Sequence, residues 1–141
     1  MSSVSRFHYG QPVRLLLVED HVIFAEATAE FLRGTGLEVE IAKSGESALE
    51  QAVVFRPDIV LCDIRLTDMS GLDVARALRA NPVTEGALIA IHTAMDETDI
   101  QALERGFSRD EFLFLSKPLT KEKLNRLLTA FWEHCGDDRR P

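Results

Sequence analysis

Short apolar runs alternate along this chain with longer stretches in which apolar residues return every three or four positions. Residues 13–18 form the first run, and Phe24, Ala27, Thr28, Phe31 and Leu32 follow at i, i+3, i+4, i+7 and i+8. That pattern predicts a strand and then an amphipathic helix. The unit recurs: residues 37–42 precede a helical stretch over 44–55, 59–62 one over 72–80, and 87–92 one over 96–105. A last run, 112–115, leads to a helix from about residue 120, where Leu124, Leu127, Leu128, Phe131, Trp132 and Cys135 keep the spacing. Gly34 and Gly36 close the first helix and Ser44 can cap the second. Asn81-Pro82 ends the third, because the residue before proline avoids the α region.

Five β-α pairs result. The first, third and fourth runs are continuously apolar, as in strands covered on both faces, which indicates a parallel sheet with helices on each side. The expected fold is therefore α/β and flavodoxin-like, a doubly wound sheet of five parallel strands in the order 2-1-3-4-5. It occupies residues 13–135 as one domain, between flexible ends at 1–12 and 136–141.

Composition narrows the function. The 141 residues, 45% of them hydrophobic, suffice for one domain and its core. The longest apolar run, Leu15-Leu16-Leu17-Val18, falls far short of the roughly 20 residues a membrane span needs. Two cysteines, Cys62 and Cys135, make no disulfide framework or metal motif, and a cytoplasmic location is expected. A formal charge of −7 argues against direct binding to nucleic acid, whose phosphates demand cations.

Ligands of open α/β sheets bind outside the carboxyl ends of the strands, where strand order reverses. Here the first strand ends in Glu19-Asp20, the third in Asp63, the fourth in Thr93 and the fifth in Lys117-Pro118. In the 2-1-3-4-5 order these side chains converge. Three carboxylates held together repel one another unless they share a cation, and an all-oxygen site with room for water suits Mg²⁺. Such an ion and the Lys117 ammonium would let Asp63 accept a phosphoryl group, with Thr93 donating a hydrogen bond to it. Any one of these residues alone would be an ordinary loop residue or cap; the joint pattern carries the argument.

The arrangement Leu15-Leu16-Leu17-Val18-Glu19-Asp20-His21, then Asp58-Ile59-Val60-Leu61-Cys62-Asp63-Ile64-Arg65-Leu66 with Gly71, then His92-Thr93-Ala94, then Leu115-Ser116-Lys117-Pro118, resembles the receiver domain of two-component response regulators. The resemblance implies that Asp63 is the phosphoacceptor, Asp20 a direct Mg²⁺ ligand and Glu19 one acting largely through water. Mn²⁺ would serve in place of Mg²⁺. The backbone carbonyl of Arg65 would be the third protein ligand, Thr93 the switch hydroxyl and Lys117 the phosphate-pairing cation. It also implies a cis Lys117-Pro118 bond. Phe114 matches the aromatic switch position, with Phe112 the competing choice. Arg65 and Met95, two places after Asp63 and Thr93, would tune dephosphorylation. The implied phosphodonor is a sensor histidine kinase or a histidine phosphotransfer protein. No downstream protein partner is named by the residues; a homodimer through the last helices is one further option. Such a domain is no turnover enzyme, only a self-phosphorylating acceptor with slow autodephosphorylation at most.

Two departures stand out. Thr67 occupies a place where the family often has proline, and the stretch from Gly106 to Lys117 is several residues longer than usual. With only six residues after Cys135, no DNA-binding module is expected there.

A phosphohydrolase of the haloacid-dehalogenase type is the alternative, since it also combines an Asp nucleophile, Mg²⁺, Thr or Ser, and Lys. Its nucleophile, however, ends the first strand as Asp-x-Asp. A flavin carrier would need a phosphate-cradling loop after the first strand, where the acidic pair would repel phosphate. His21 and His92 are weak candidates for general bases: His21 sits at a helix start, and His92 should face away from Thr93 across the sheet. Cys62 is expected to be buried and inert. The apolar stripe of the final helix is core, although Trp132 near its end could also serve a partner surface.

Overall fold

The computed structural model describes residues 11–106 and 112–135. Most of the expected leading segment, the tail and residues 107–111 of the lengthened stretch lie outside them. The described chain runs β1 (Arg14–Val18), α1 (Val22–Arg33), β2 (Glu38–Ala42), α2 (Gly45–Phe55), β3 (Ile59–Asp63), α3 (Gly71–Ala80), β4 (Leu88–Thr93), α4 (Glu97–Glu104), β5 (Leu113–Ser116) and α5 (Lys121–Cys135). Every strand pairing is parallel and the order is β2-β1-β3-β4-β5. Strand order reverses beside β1, so the crevice opens beyond Val18 and Asp63.

Side-chain alternation splits the core into two layers. Leu16, Val18, Val60, Cys62, Ile89 and Ile91 meet α2, α3 and Ile100 of α4 on one face. Leu15, Leu17, Ile59, Leu61 and Ala90 meet α1 and α5 on the other. Helix ends follow the local chemistry: Ser44 Oγ accepts from the Ser47 amide, Ser70 caps α3 and Asp96 caps α4. Asn81 leaves α3 in an extended conformation, and Gly36 takes φ +96°, open to glycine without strain.

One face differs from its spacing. In α1 the buried residues are Ala25, Thr28, Ala29 and Leu32, while Ala27 and Phe31 are exposed. The helix is rotated so that its small alanines meet the sheet, which lets the two backbones approach; a face led by two phenylalanines would hold them apart. The rotation also leaves Phe24 at the crevice.

Candidate functional site at the carboxyl edge of the sheet

Parallel ladders deliver the site residues. Asp63 pairs with His92 and Thr93 with Ser116, so β3, β4 and β5 each extend one residue beyond the apolar runs. The Glu19 amide donates to the Ala42 carbonyl at 3.0 Å, and the Lys117 amide to the Thr93 carbonyl at 2.6 Å. The Lys117-Pro118 bond is cis.

These backbones bring the charged side chains together. Lys117 Nζ lies 2.6 Å from Glu19 Oε1 and 3.2 Å from Asp63 Oδ2. One oxygen from each of Glu19, Asp20 and Asp63 falls within a sphere of mutual distances up to 4.8 Å. Three carboxylates thus face one ammonium, and Glu19 is buried. Burial pushes the Glu19 carboxyl above its ordinary range; the Lys117 hydrogen bond and the His21 amide pull it down, and Asp63 pushes it up again. Desolvation and crowding together leave this corner short of positive charge. An all-oxygen donor set with surplus negative charge fits a hard divalent cation such as Mg²⁺ or Mn²⁺.

Backbone amides hold the carboxylates in place. His21 N donates to Glu19 Oε2 at 3.2 Å, Arg65 N to Asp63 Oδ1 at 3.2 Å, and Thr67 N to Asp20 Oδ2 at 3.0 Å. Arg65 itself is exposed in the loop after β3. Gly71 closes that loop: a Cβ there would collide with the Asp63 carbonyl, so a side chain would displace the strand end.

Around this centre, Thr93 is buried and its Oγ1 accepts from the Met95 amide at 3.2 Å. Met95 is half-buried against the apolar cluster that contains Phe114. Phe114 stands in the ladder opposite Ile91, whereas Phe112 precedes the strand; both rings are buried.

The remaining candidates have other duties. His21 Nδ1 accepts from the Phe24 amide and caps α1. His92 lies on the α1 side of the sheet, 1% exposed, its ring 6.0 Å from that of Phe24. Burial first, then Lys117 and Lys123, depress its pKa to about 3, so it stays neutral. Burial pushes the Cys62 thiol far above its usual range, and Asp63 and Glu19 add to this, so the thiol is inert.

Phe24 escaped the sequence reading, which placed it in the core stripe. Its ring lies 4.6 Å from Lys117 Nζ and takes part in holding the ammonium. The only available signal was an aromatic residue one helical turn beyond the acidic pair.

Comparison with known proteins identifies the family and the fold. A family model, the response regulator receiver domain, matches residues 15–129. The chain belongs to that family. It is 35% identical over 128 residues to the protein TcrX of Mycobacterium tuberculosis, covering 90% of this chain and 53% of TcrX. It is 34% identical over 111 residues to the DNA-binding response regulator MtrA of Mycobacterium leprae, covering 79% of this chain and 47% of MtrA. The chain thus spans about half the length of these relatives. Among solved structures, a CheY-like response regulator receiver domain from Methylobacillus flagellatus superposes with a TM-score of 0.72 at 25% identity, over 86% of this chain and 99% of that one. Membership in a family of signalling switches leaves the dehalogenase-type hydrolase without support. Among the described residues no helix is long and apolar enough to cross a membrane.

Proposed function

We propose that Asp63 of this receiver accepts a phosphoryl group from a sensor histidine kinase or a histidine phosphotransfer protein. One observation carries the reading: Asp63 sits at the mouth of the crevice between the Lys117 ammonium, 3.2 Å away, and the acidic cluster it shares with Glu19 and Asp20. An Asp63 oxygen attacks phosphorus, the bond from phosphorus to the donor's histidine nitrogen breaks, and an acyl phosphate forms. Asp20, Asp63 and the Arg65 carbonyl would hold Mg²⁺ (or Mn²⁺), with Glu19 acting largely through water. When bound, that ion screens the incoming phosphoryl oxygens from the carboxylates.

Lys117 pairs with the phosphoryl group once Asp63 has reacted. The Thr93 hydroxyl donates to a phosphoryl oxygen, and the shift at the end of β4 reaches Phe114, which alters the surface seen by a downstream protein. Output runs through protein contacts, with self-association through the last helices as one form. Arg65 lies over the phosphoryl group and Met95 offers bulk without a group to orient water, so hydrolysis is slow.

Incubation with acetyl phosphate tests the reading. Wild-type protein becomes labelled when Mg²⁺ is present, EDTA prevents labelling, and Asp63→Asn abolishes it with the fold intact by circular dichroism. Labelling of that variant at the wild-type level rejects the assignment. In the same assay, Arg65→Asn and Met95→Ala shorten the lifetime of the label after donor removal; unchanged decay in both removes them from the mechanism.

A further inference from the structure

Between β3 and α3 the chain makes a miniature hairpin. Arg65 and Ser70 form an antiparallel bridge and the Leu66 amide donates to the Met69 carbonyl, which leaves Thr67 and Asp68 at the tip. A turn this small is not stable alone. Thr67 lacks the ring that would restrain φ, so the tip must be held from outside.

It is held on both sides. The Thr67 amide donates 3.0 Å to Asp20 Oδ2. The Asp68 carboxylate reaches across to the start of α2, where Oδ1 accepts from the Gly45 amide and Oδ2 from the Glu46 amide, each at 2.9 Å. Those two donors complete the first turn of α2, whose next amide, of Ser47, is taken by Ser44. Met69 adds an apolar anchor beside them: it packs so closely on Gly45 that any Cβ there would collide with its side chain.

We propose that Asp68 is a positioning residue for the phosphorylation site. By clamping the hairpin tip to α2 it fixes the Thr67 amide on Asp20 and the loop that carries the Arg65 carbonyl, and so sets the affinity for the divalent cation. The inference rests on the reading of the site given above. Glu46 and Gly45 amides also hold the Asp68 carboxyl below its usual range, so the clamp is ionised at neutral pH.

A helix cap with no further role would behave differently, and Ser44→Ala supplies that control, because it removes a capping bond from the same helix turn without touching the hairpin. Two readouts are needed: Mg²⁺ affinity by calorimetry, and hydrogen exchange of the Thr67 amide by NMR in metal-free protein. Asp68→Ala should weaken Mg²⁺ binding about tenfold and speed exchange at Thr67 by a similar factor, with Asp68→Asn recovering part of both. Ser44→Ala should lower the melting temperature and leave both readouts at wild-type values. Wild-type behaviour of Asp68→Ala in both, or equal changes in Ser44→Ala, overturns the proposal. Absence of Mg²⁺ binding by the wild type would instead reject the phosphoacceptor reading, while Thr67 exchange still decides the role of Asp68.

Discussion

The two edges of the sheet each bury a carboxylate, and they treat it in opposite ways. At the amino edge, Asp58 is 3% exposed and its Oδ2 accepts from the Arg14 amide at 2.8 Å. The Arg14 guanidinium meanwhile donates to the Phe55 carbonyl, covers the Phe55 ring and reaches Glu38. At the carboxyl edge, Glu19 is 2% exposed and shares one lysine with Asp63, with Asp20 close by. The first arrangement ties strand ends together through backbone donors, and among the described residues no cluster of three carboxylates forms there. The second concentrates more negative charge than it neutralises, which costs stability and favours the binding of a cation. Burial alone therefore does not mark a functional acid; the excess of carboxylates over cations does.

Removing Lys117, the cation paired with both Glu19 and Asp63, should have the largest effect. Lys117→Met leaves Glu19 and Asp63 unpaired and should lower stability by about 3 kcal/mol in urea titrations at pH 7. Combining it with Asp63→Asn should restore about 1 kcal/mol or more, since one unpaired charge disappears. A double variant no more stable than Lys117→Met would show that charge excess is not what strains this edge.

Acid probes the same edge through His92. Its folded pKa is lowered to about 3 by burial, against an ordinary 6.5, so the unfolded chain takes up the proton first. The stability it contributes is complete above pH 6.5 and is lost as the pH falls toward 3, at about 1.4 kcal/mol per unit. Between pH 7 and pH 5 the wild type should lose about 2 kcal/mol that His92→Leu does not lose. Parallel pH profiles for the two proteins would contradict this.

The smallest change belongs to the amino edge. Asp58→Asn can still present an oxygen to the Arg14 amide, so it should cost about 1 kcal/mol and leave acetyl phosphate labelling unchanged. A loss of labelling would dissolve the distinction between the edges.

Much of this was legible in the chain itself. Strand and helix periods are local properties, so the β-α alternation, the caps at Ser44 and Asn81 and the parallel order followed from them. Because the carboxyl ends of parallel strands share one edge, Glu19, Asp20, Asp63, Thr93 and Lys117 could be read as neighbours before any distance was known. The spacing misjudged α1, since periodicity names an apolar stripe but not how near the helix comes to the sheet. Packing chose the alanines and turned Phe24 toward Lys117. The pairing of Lys117 with Glu19 joins residues 98 apart, and Asp68 reaches amides 22 and 23 positions back. Residue types and local order thus determined the fold and the candidate chemistry. Which amide meets which carboxylate was decided only by the tertiary structure, because such contacts depend on the placement of whole elements and leave no trace in the local pattern.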